Sequence, residues 1–238
     1  MRLLRRTLSF ALIASSLVLT GCSTLDSIEQ HRVPDAQADT TWDSATQRAS
    51  YSESLELLAK IDIKGRAPKT GYEREKFSKG WKDPDHNGCD ARNDILARDL
   101  EDVKYKSASR PCVVLSGTFH DPYTNTTINF VRGQGTSTAV QIDHVVALSD
   151  AWQKGAQRWE ENARFKFAND PLNLMASDGP TNAAKGDKDA ASWLPPNKRF
   201  RCEYVSRQTQ VKAKYGAWMT KGEHDAIERI LKNCVKPA

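Results

Sequence analysis

Gln141-Ile142-Asp143-His144-Val145-Val146-Ala147-Leu148 is the stretch that decides the reading of this chain. Apolar and β-branched residues flank an acid–imidazole pair, which predicts a strand with Asp143-His144 on it or just after it. Leu172-Asn173-Leu174, with Met175 behind it, is a second short apolar run. Pro180-Thr181-Asn182 then opens an alanine-rich helix, with Thr181 or Asp178 able to cap it. The expected order is strand, strand, helix, with one polar group of interest on each.

These residue types suit metal-assisted phosphodiester hydrolysis. A hard cation such as Mg²⁺ takes oxygen ligands and keeps several waters, so the Asp143 carboxylate and the Asn182 amide oxygen suffice for a sparse site. A neutral His144 beside it can take a proton from an attacking water near pH 7. The bland alternative for the pair alone is a strand-end carboxylate beside a structural histidine.

Asp143-His144, Asn173 and Asn182, with Asn182 nine positions beyond Asn173, resemble the motif of the HNH nucleases and their ββα-metal finger. Lys185-Gly186 after it is also family-like. Asp-His-Val-Val-Ala-Leu, Asn169-Asp170-Pro171-Leu172-Asn173-Leu174 and Trp193-Leu194-Pro195-Pro196 are similar to secreted bacterial HNH nucleases related to the nuclease domain of GmrSD restriction enzymes. The likeness runs from about Leu57 to Cys234. It implies His144 as general base, Asp143 and Asn182 as ligands of Mg²⁺ (or Mn²⁺), and Asn173 as the residue that holds the hairpin and aims His144. Nucleic acid, DNA in the first place, is the implied substrate of a monomer. Cys89-Asp90-Ala91-Arg92-Asn93 is another shared block. Arg92 and Lys185 are secondary phosphate contacts on this reading, with an ordinary salt bridge the alternative for Arg92. The expected fold is α+β: a ββα-metal (HNH) finger embedded in a mainly helical domain with a small β-hairpin and two disulfides. One departure is the long gap between His144 and Asn173.

The chain has 238 residues, enough for one domain with its own core. Arg2, Arg5 and Arg6 precede an apolar run from Leu8 to Leu19, and Leu19-Thr20-Gly21-Cys22 follows. That is a secretory signal over residues 1–21. Its end looks like a lipobox, implying a lipidated Cys22 and a protein anchored to the cell membrane, facing outside the cytoplasm at the cell surface or in the periplasm. An ordinary signal with an incidental cysteine is the alternative. Residues 22–50 are polar and read as a tether; residues 51–238 are the expected nuclease domain. Formal charge is +5. The leader contributes three arginines and no acid, so what remains is only mildly basic, compatible with a polyanion without being diagnostic of one.

Four cysteines remain beyond Cys22. An even number in an exported chain favours disulfides, and three pairings are open. No two are spaced as Cys-x-x-Cys, which disfavours zinc. Cys89–Cys112 and Cys202–Cys234 each close a moderate loop worth about 3 kcal/mol. The second pair also flanks two predicted helices joined by a short turn, Cys202 starting one and Cys234 following the other.

Asp83-Pro84-Asp85-His86-Asn87-Gly88 matches the first half of a calcium loop, making Asp83, Asp85 and Asn87 candidate ligands of a structural Ca²⁺. Its twelfth position is Asp94 instead of glutamate, and a turn-rich loop pinned by Cys89 is the alternative. A non-catalytic, calcium-stabilised surface binding module is the competing functional class. Between the finger strands, Trp152, Ala156, Trp159, Ala163 and Phe167 recur at helical spacing and predict one amphipathic helix that braces the hairpin. Leu55, Leu58 and Ile61 predict a short docking helix from Ser52. Thr220 followed by Glu223 is a capping box opening the last helix.

Overall fold

The computed structural model describes residues 44–109 and 111–236. The expected leader (1–21), lipidated Cys22 and most of the tether lie outside the described residues. Helices are α1 Ser44–Leu58, α2 Ala91–Asp99, α3 Leu148–Trp152, α4 Glu161–Asn169, α5 Gly179–Lys185, α6 Arg201–Tyr215 and α7 Lys221–Cys234. Strands are β1 Leu100–Tyr105, β2 Val114–Asp121, β3 Thr126–Val131, β4 Val140–His144 and β5 Leu174–Asp178.

Two antiparallel sheets form, β1-β2-β3 and β4-β5. The fold is mixed α+β and carries more sheet than the mainly helical domain expected. The expected hairpin forms as β2 and β3, and β1, Leu-Glu-Asp-Val-Lys-Tyr, extends it to three strands by pairing with β2. Its charged, mostly exposed edge carries little apolar alternation to reveal it, and Asp102 at φ 52° marks an irregular register. β2 and β3 pair regularly from Ser116↔Val131 to Asp121↔Thr126.

α1 starts eight residues before the expected Ser52, inside the stretch taken for tether. Its Tyr51, Leu55 and Leu58 pack into a core shared with Tyr204, Val205, Ile227 and Leu231, and this tertiary contact outweighs the polar composition of its first turns. A second core joins Ile95 and Leu96 of α2 to Phe119, Phe130, Ile142 and Ala176 of both sheets.

The insertion between β4 and β5 is broken into α3, a 3-10 turn at Ala156–Arg158, and α4. Gly155 breaks it, at φ 128° and against the Trp218 ring, which would lie 3.3 Å from a Cβ there. The aromatic stripe still buries Trp152, Ala156 and Phe167 in one cluster with Val146. Its bracing task survives the break.

Cys89–Cys112 and Cys202–Cys234 are both bonded, with Cα separations of 5.3 and 6.0 Å. The second ties the start of α6 to the end of α7.

One buried ionic cluster joins distant segments. The Lys154 ammonium lies 2.6 Å from Asp150, 2.7 Å from Asp189 and 2.6 Å from Glu223. Lys212 donates to Asp150 and Glu223, and Arg66 reaches Asp150 and Asp189. Lys154, Lys212 and Glu223 are fully buried. The expected capping box is therefore half formed: Thr220 Oγ1 accepts from the Glu223 amide, but the Glu223 carboxylate serves the lysines.

Candidate functional site

β4 and β5 run antiparallel from Val140↔Asp178 to His144↔Leu174, and α5 follows without a linker. Asp178, of the two expected caps, is the one used: its carboxylate accepts from the Thr181 amide at 2.8 Å, with Pro180 in the first turn. A Cβ at Gly179 would sit 2.1 Å from the Thr138 carbonyl oxygen. Only glycine lets the helix start this close to the strand.

Asn173 is fully buried and clamps the far end of the hairpin. Its Oδ1 accepts from the Val146 amide at 2.8 Å, while its Nδ2 donates to the carbonyls of Val146 and Phe167, both at 3.3 Å. Its own carbonyl accepts from the Val145 amide at 2.8 Å. The chain immediately after His144 is thereby fixed to β5 and to α4.

His144 is buried, and its Nε2 lies 2.8 Å from the Ala168 carbonyl oxygen. A carbonyl only accepts, so Nε2 carries the hydrogen and Nδ1 keeps its lone pair. Trp81 stacks on the ring at 5.9 Å between centroids and 8° between planes. Burial, then the nearby Arg74 charge, push the imidazole down to about 3, against the Ala168 hydrogen bond. It is neutral at physiological pH.

Asp143, His144 and Asn182 line one cleft of about 490 Å³, together with Arg74, Trp81 and Arg92. A smaller hollow of about 100 Å³ adjoins His144, bordered by Arg74, Ser78 and Asn169. Asn182 donates its Nδ2 to Gln141 Oε1 at 2.9 Å, which orients the amide and leaves its oxygen without a donor among the described residues. Asp143 is buried and accepts from Lys185 Nζ at 2.8 Å on Oδ1 and from Tyr123 on Oδ2. Each carboxylate oxygen has a second lone pair, so the donor set (one carboxylate, one amide oxygen) fits a hard cation that keeps most of its waters. Among the described residues no group of three or more His, Cys, Asp or Glu side chains could hold a metal; a carboxylate–amide pair is a different, sparser kind of site.

Two expected phosphate contacts are placed differently from each other. Lys185 is fully buried, its ammonium donating to Asp143 and to the His144 carbonyl oxygen at 2.8 Å. Its ammonium is committed beneath the cleft, because the side of α5 that packs on β4 carries it to Asp143. Arg92 does line the cleft, and its guanidinium touches only the carbonyls of Ser137 and Val140. Among the described residues it makes no ion pair, the Asp90 charge acting on it only at longer range.

The segment expected as a calcium loop is bonded to itself. Asp83 accepts from the amides of Asn87 and Gly88, Asp85 accepts from Asn87 Nδ2, and Asn87 Oδ1 accepts from the Cys89 amide. The three side chains satisfy the turn itself, His86 and Gly88 both taking positive φ.

Arg74, Trp81 and Tyr123 were not legible as site residues. Arg74 lies in a charged run, Trp81 is isolated, and Tyr123 sits in the turn between β2 and β3. Only the tertiary fold brings them to the Asp-His pair.

The architecture defines an α+β domain with a strand–strand–helix unit opening onto one polar cleft. The chain belongs to the family of the C-terminal domain of GmrSD restriction endonucleases, whose model matches residues 90–230. It is therefore linked to nuclease-type proteins. It is also 34% identical over 187 residues to an "Uncharacterized secreted protein" of Arthroderma benhamiae, covering 78% of this chain and 86% of that one. No solved structure matches. The expectation of a lipoprotein, partnered with and located at the membrane through Cys22, is corrected: that relative is named a secreted protein. Among the described residues, no helix is long and apolar enough to cross a membrane.

Proposed function

We propose that the protein is a secreted, metal-dependent endonuclease of the HNH type, with β4, β5 and α5 as its ββα finger. The observation that carries this is the convergence of Asp143, His144 and Asn182 on one cleft beside two arginines, Arg74 and Arg92, that have no acid partner among the described residues. Family membership supports nucleic acid, and DNA first, as the substrate. The apolar leader, the two disulfides and the secreted relative support export.

His144 is the general base. Its Nε2 hydrogen is committed to the Ala168 carbonyl, so Nδ1 takes the proton from the attacking water. Trp81 and the Ala168 carbonyl together hold the ring's plane and tautomer. Asp143 and the Asn182 amide oxygen hold the divalent ion, Mg²⁺ or Mn²⁺. When bound, that ion supplies Lewis-acid stabilisation of charge on the phosphoryl and departing oxygens. Arg92 and Arg74 bind the phosphodiester, whose geometry a guanidinium matches. Asn173 is a positioning residue: it fixes the chain that leaves His144.

The test is cleavage of plasmid DNA, and of an RNA of similar length, by the purified protein with Mg²⁺, Mn²⁺, Ca²⁺ or EDTA. Cutting should need metal, and His144→Ala should lower it by about 10²–10⁴-fold while the fold is retained. Cutting by His144→Ala at the wild-type rate, or in EDTA, refutes the reading.

A further inference from the structure

We infer that the free cleft is electrostatically closed to a divalent cation by Lys185, and that nucleic-acid phosphate must enter before or with the metal. The inference rests on the nuclease reading above and concerns the order in which that site fills.

The charges that line the cleft are Arg74, Arg92, Asp143 and Asp187. Each acid already has a lysine. Lys185 Nζ is 2.8 Å from Asp143 and Lys69 Nζ is 2.9 Å from Asp187. Neither arginine has a carboxylate within salt-bridge distance among the described residues; Arg92 bonds only backbone carbonyls, with Asp90 acting on it at longer range. The uncomplexed cleft therefore presents net positive charge to solvent. Lys185 cannot swing away to relieve this. It is fully buried, and a second hydrogen bond to the His144 carbonyl oxygen pins its ammonium. Tyr123, also fully buried, holds the other carboxylate oxygen.

An ammonium in contact with the ligand carboxylate cancels the charge that would attract a divalent ion, and repels the ion at short range through a poorly screened interior. A phosphodiester seated on Arg74 and Arg92 reverses the sign. It brings negative charge and additional hard oxygen ligands to the same place. Metal and nucleic acid then bind with positive coupling, and the coupling is reciprocal: each raises the other's affinity by the same factor. Lys185 is thus a positioning residue with a second task, setting the charge of the ligand it holds. A secreted enzyme built this way stays free of metal until it meets its substrate.

The experiment is a titration of the full chain with Mn²⁺, following the free-ion signal by electron paramagnetic resonance. Wild type is compared with Lys185→Met, which removes the charge at similar volume. Lys185→Gln is the second variant, keeping a neutral donor for the His144 carbonyl so that a folding defect in the first does not decide the result. A third arm needs no change at Lys185: the His144→Ala chain is titrated with and without a 16-base-pair DNA duplex or an RNA of that length, correcting for ion bound by the oligonucleotide alone. Expected are millimolar binding by wild type, at least about tenfold tighter binding by a folded Lys185 variant, and a similar gain on adding oligonucleotide. Micromolar binding by the free wild-type chain overturns the inference. So does an affinity that neither the variants nor the oligonucleotides tighten. Asp143→Ala separates the two levels: if it leaves all Mn²⁺ binding unchanged, the metal site and the nuclease reading fail together, and not merely the order of filling.

Discussion

Replacing Asn173 with alanine should destabilise the protein by about 3 kcal/mol. The largest share comes from the Val146 amide, whose 2.8 Å bond to Asn173 Oδ1 has no substitute in a site closed to water. A stranded buried donor costs roughly 1–3 kcal/mol. The two carbonyls of Val146 and Phe167 lose longer bonds at 3.3 Å and each retains a second lone pair, adding at most about 1 kcal/mol together. For a chain of this size each kcal/mol lowers Tm by about 2–4 °C, so the expected fall is about 6–12 °C by calorimetry or circular dichroism. Asn182→Ala is the control, because its amide is only half-buried and donates one bond to Gln141; a fall of less than about 2 °C is expected there, as for ordinary surface changes. If Asn173→Ala melts within 2 °C of wild type, the clamp is not holding the hairpin and the positioning role assigned to Asn173 falls with it.

Arg74→Ala should weaken nucleic-acid binding with little change in Tm, since its side chain is exposed and carries no salt bridge among the described residues; the salt dependence of binding should flatten by about one unit of slope. An unchanged slope removes Arg74 from the phosphate path. Asp189 supplies a pH test: burial pushes its carboxyl up, but the hydrogen bond and charge of Lys154, with Arg66 and Lys212, outweigh that and hold it at about 2. A folded value below the unfolded one gives stability that is complete above about pH 4 and lost as pH falls toward 2. Urea midpoints measured at pH 5, 4 and 3 should drop for wild type and change less for Asp189→Asn. Opening Cys202–Cys234 by a double serine substitution should cost about 3 kcal/mol, read as a Tm fall of about 6–12 °C; no fall would mean the paired ends of α6 and α7 are held without it.

The strand–strand–helix order was legible because apolar and β-branched residues flank Asp143-His144, Leu172 to Met175 is a second short apolar run, and Pro180-Thr181-Asn182 behind Asp178 announces a helix start. The Cys202–Cys234 bond was legible from two helix periods and one short turn. Polar segments were not. β1 belongs to a sheet through backbone pairing that its charged residues do not advertise, and α1 is anchored by Tyr51, Leu55 and Leu58 in its later turns, which its polar start does not reveal. Within the site, Asp143, His144 and Asn182 were proposed from the chemistry of their side chains and their resemblance to the HNH motif. The fate of Lys185 could not, since whether a helical lysine faces solvent or a buried carboxylate depends on which side of α5 meets β4. Gly155 hid the break in the insertion for a related reason: a single permissive residue ends a helix that the aromatic period alone would continue.

The cluster of Asp150, Lys154, Asp189, Lys212 and Glu223 restricts how this sequence can drift. Losing one member leaves an opposite charge stranded in a dry interior, a defect of about 3–5 kcal/mol, whereas exchanging several members together for apolar residues of matching volume can be nearly neutral. These positions, which lie on α3, the turn after it, α6, α7 and the segment after α5, should therefore be inherited as a block or replaced as a block among descendants of this chain.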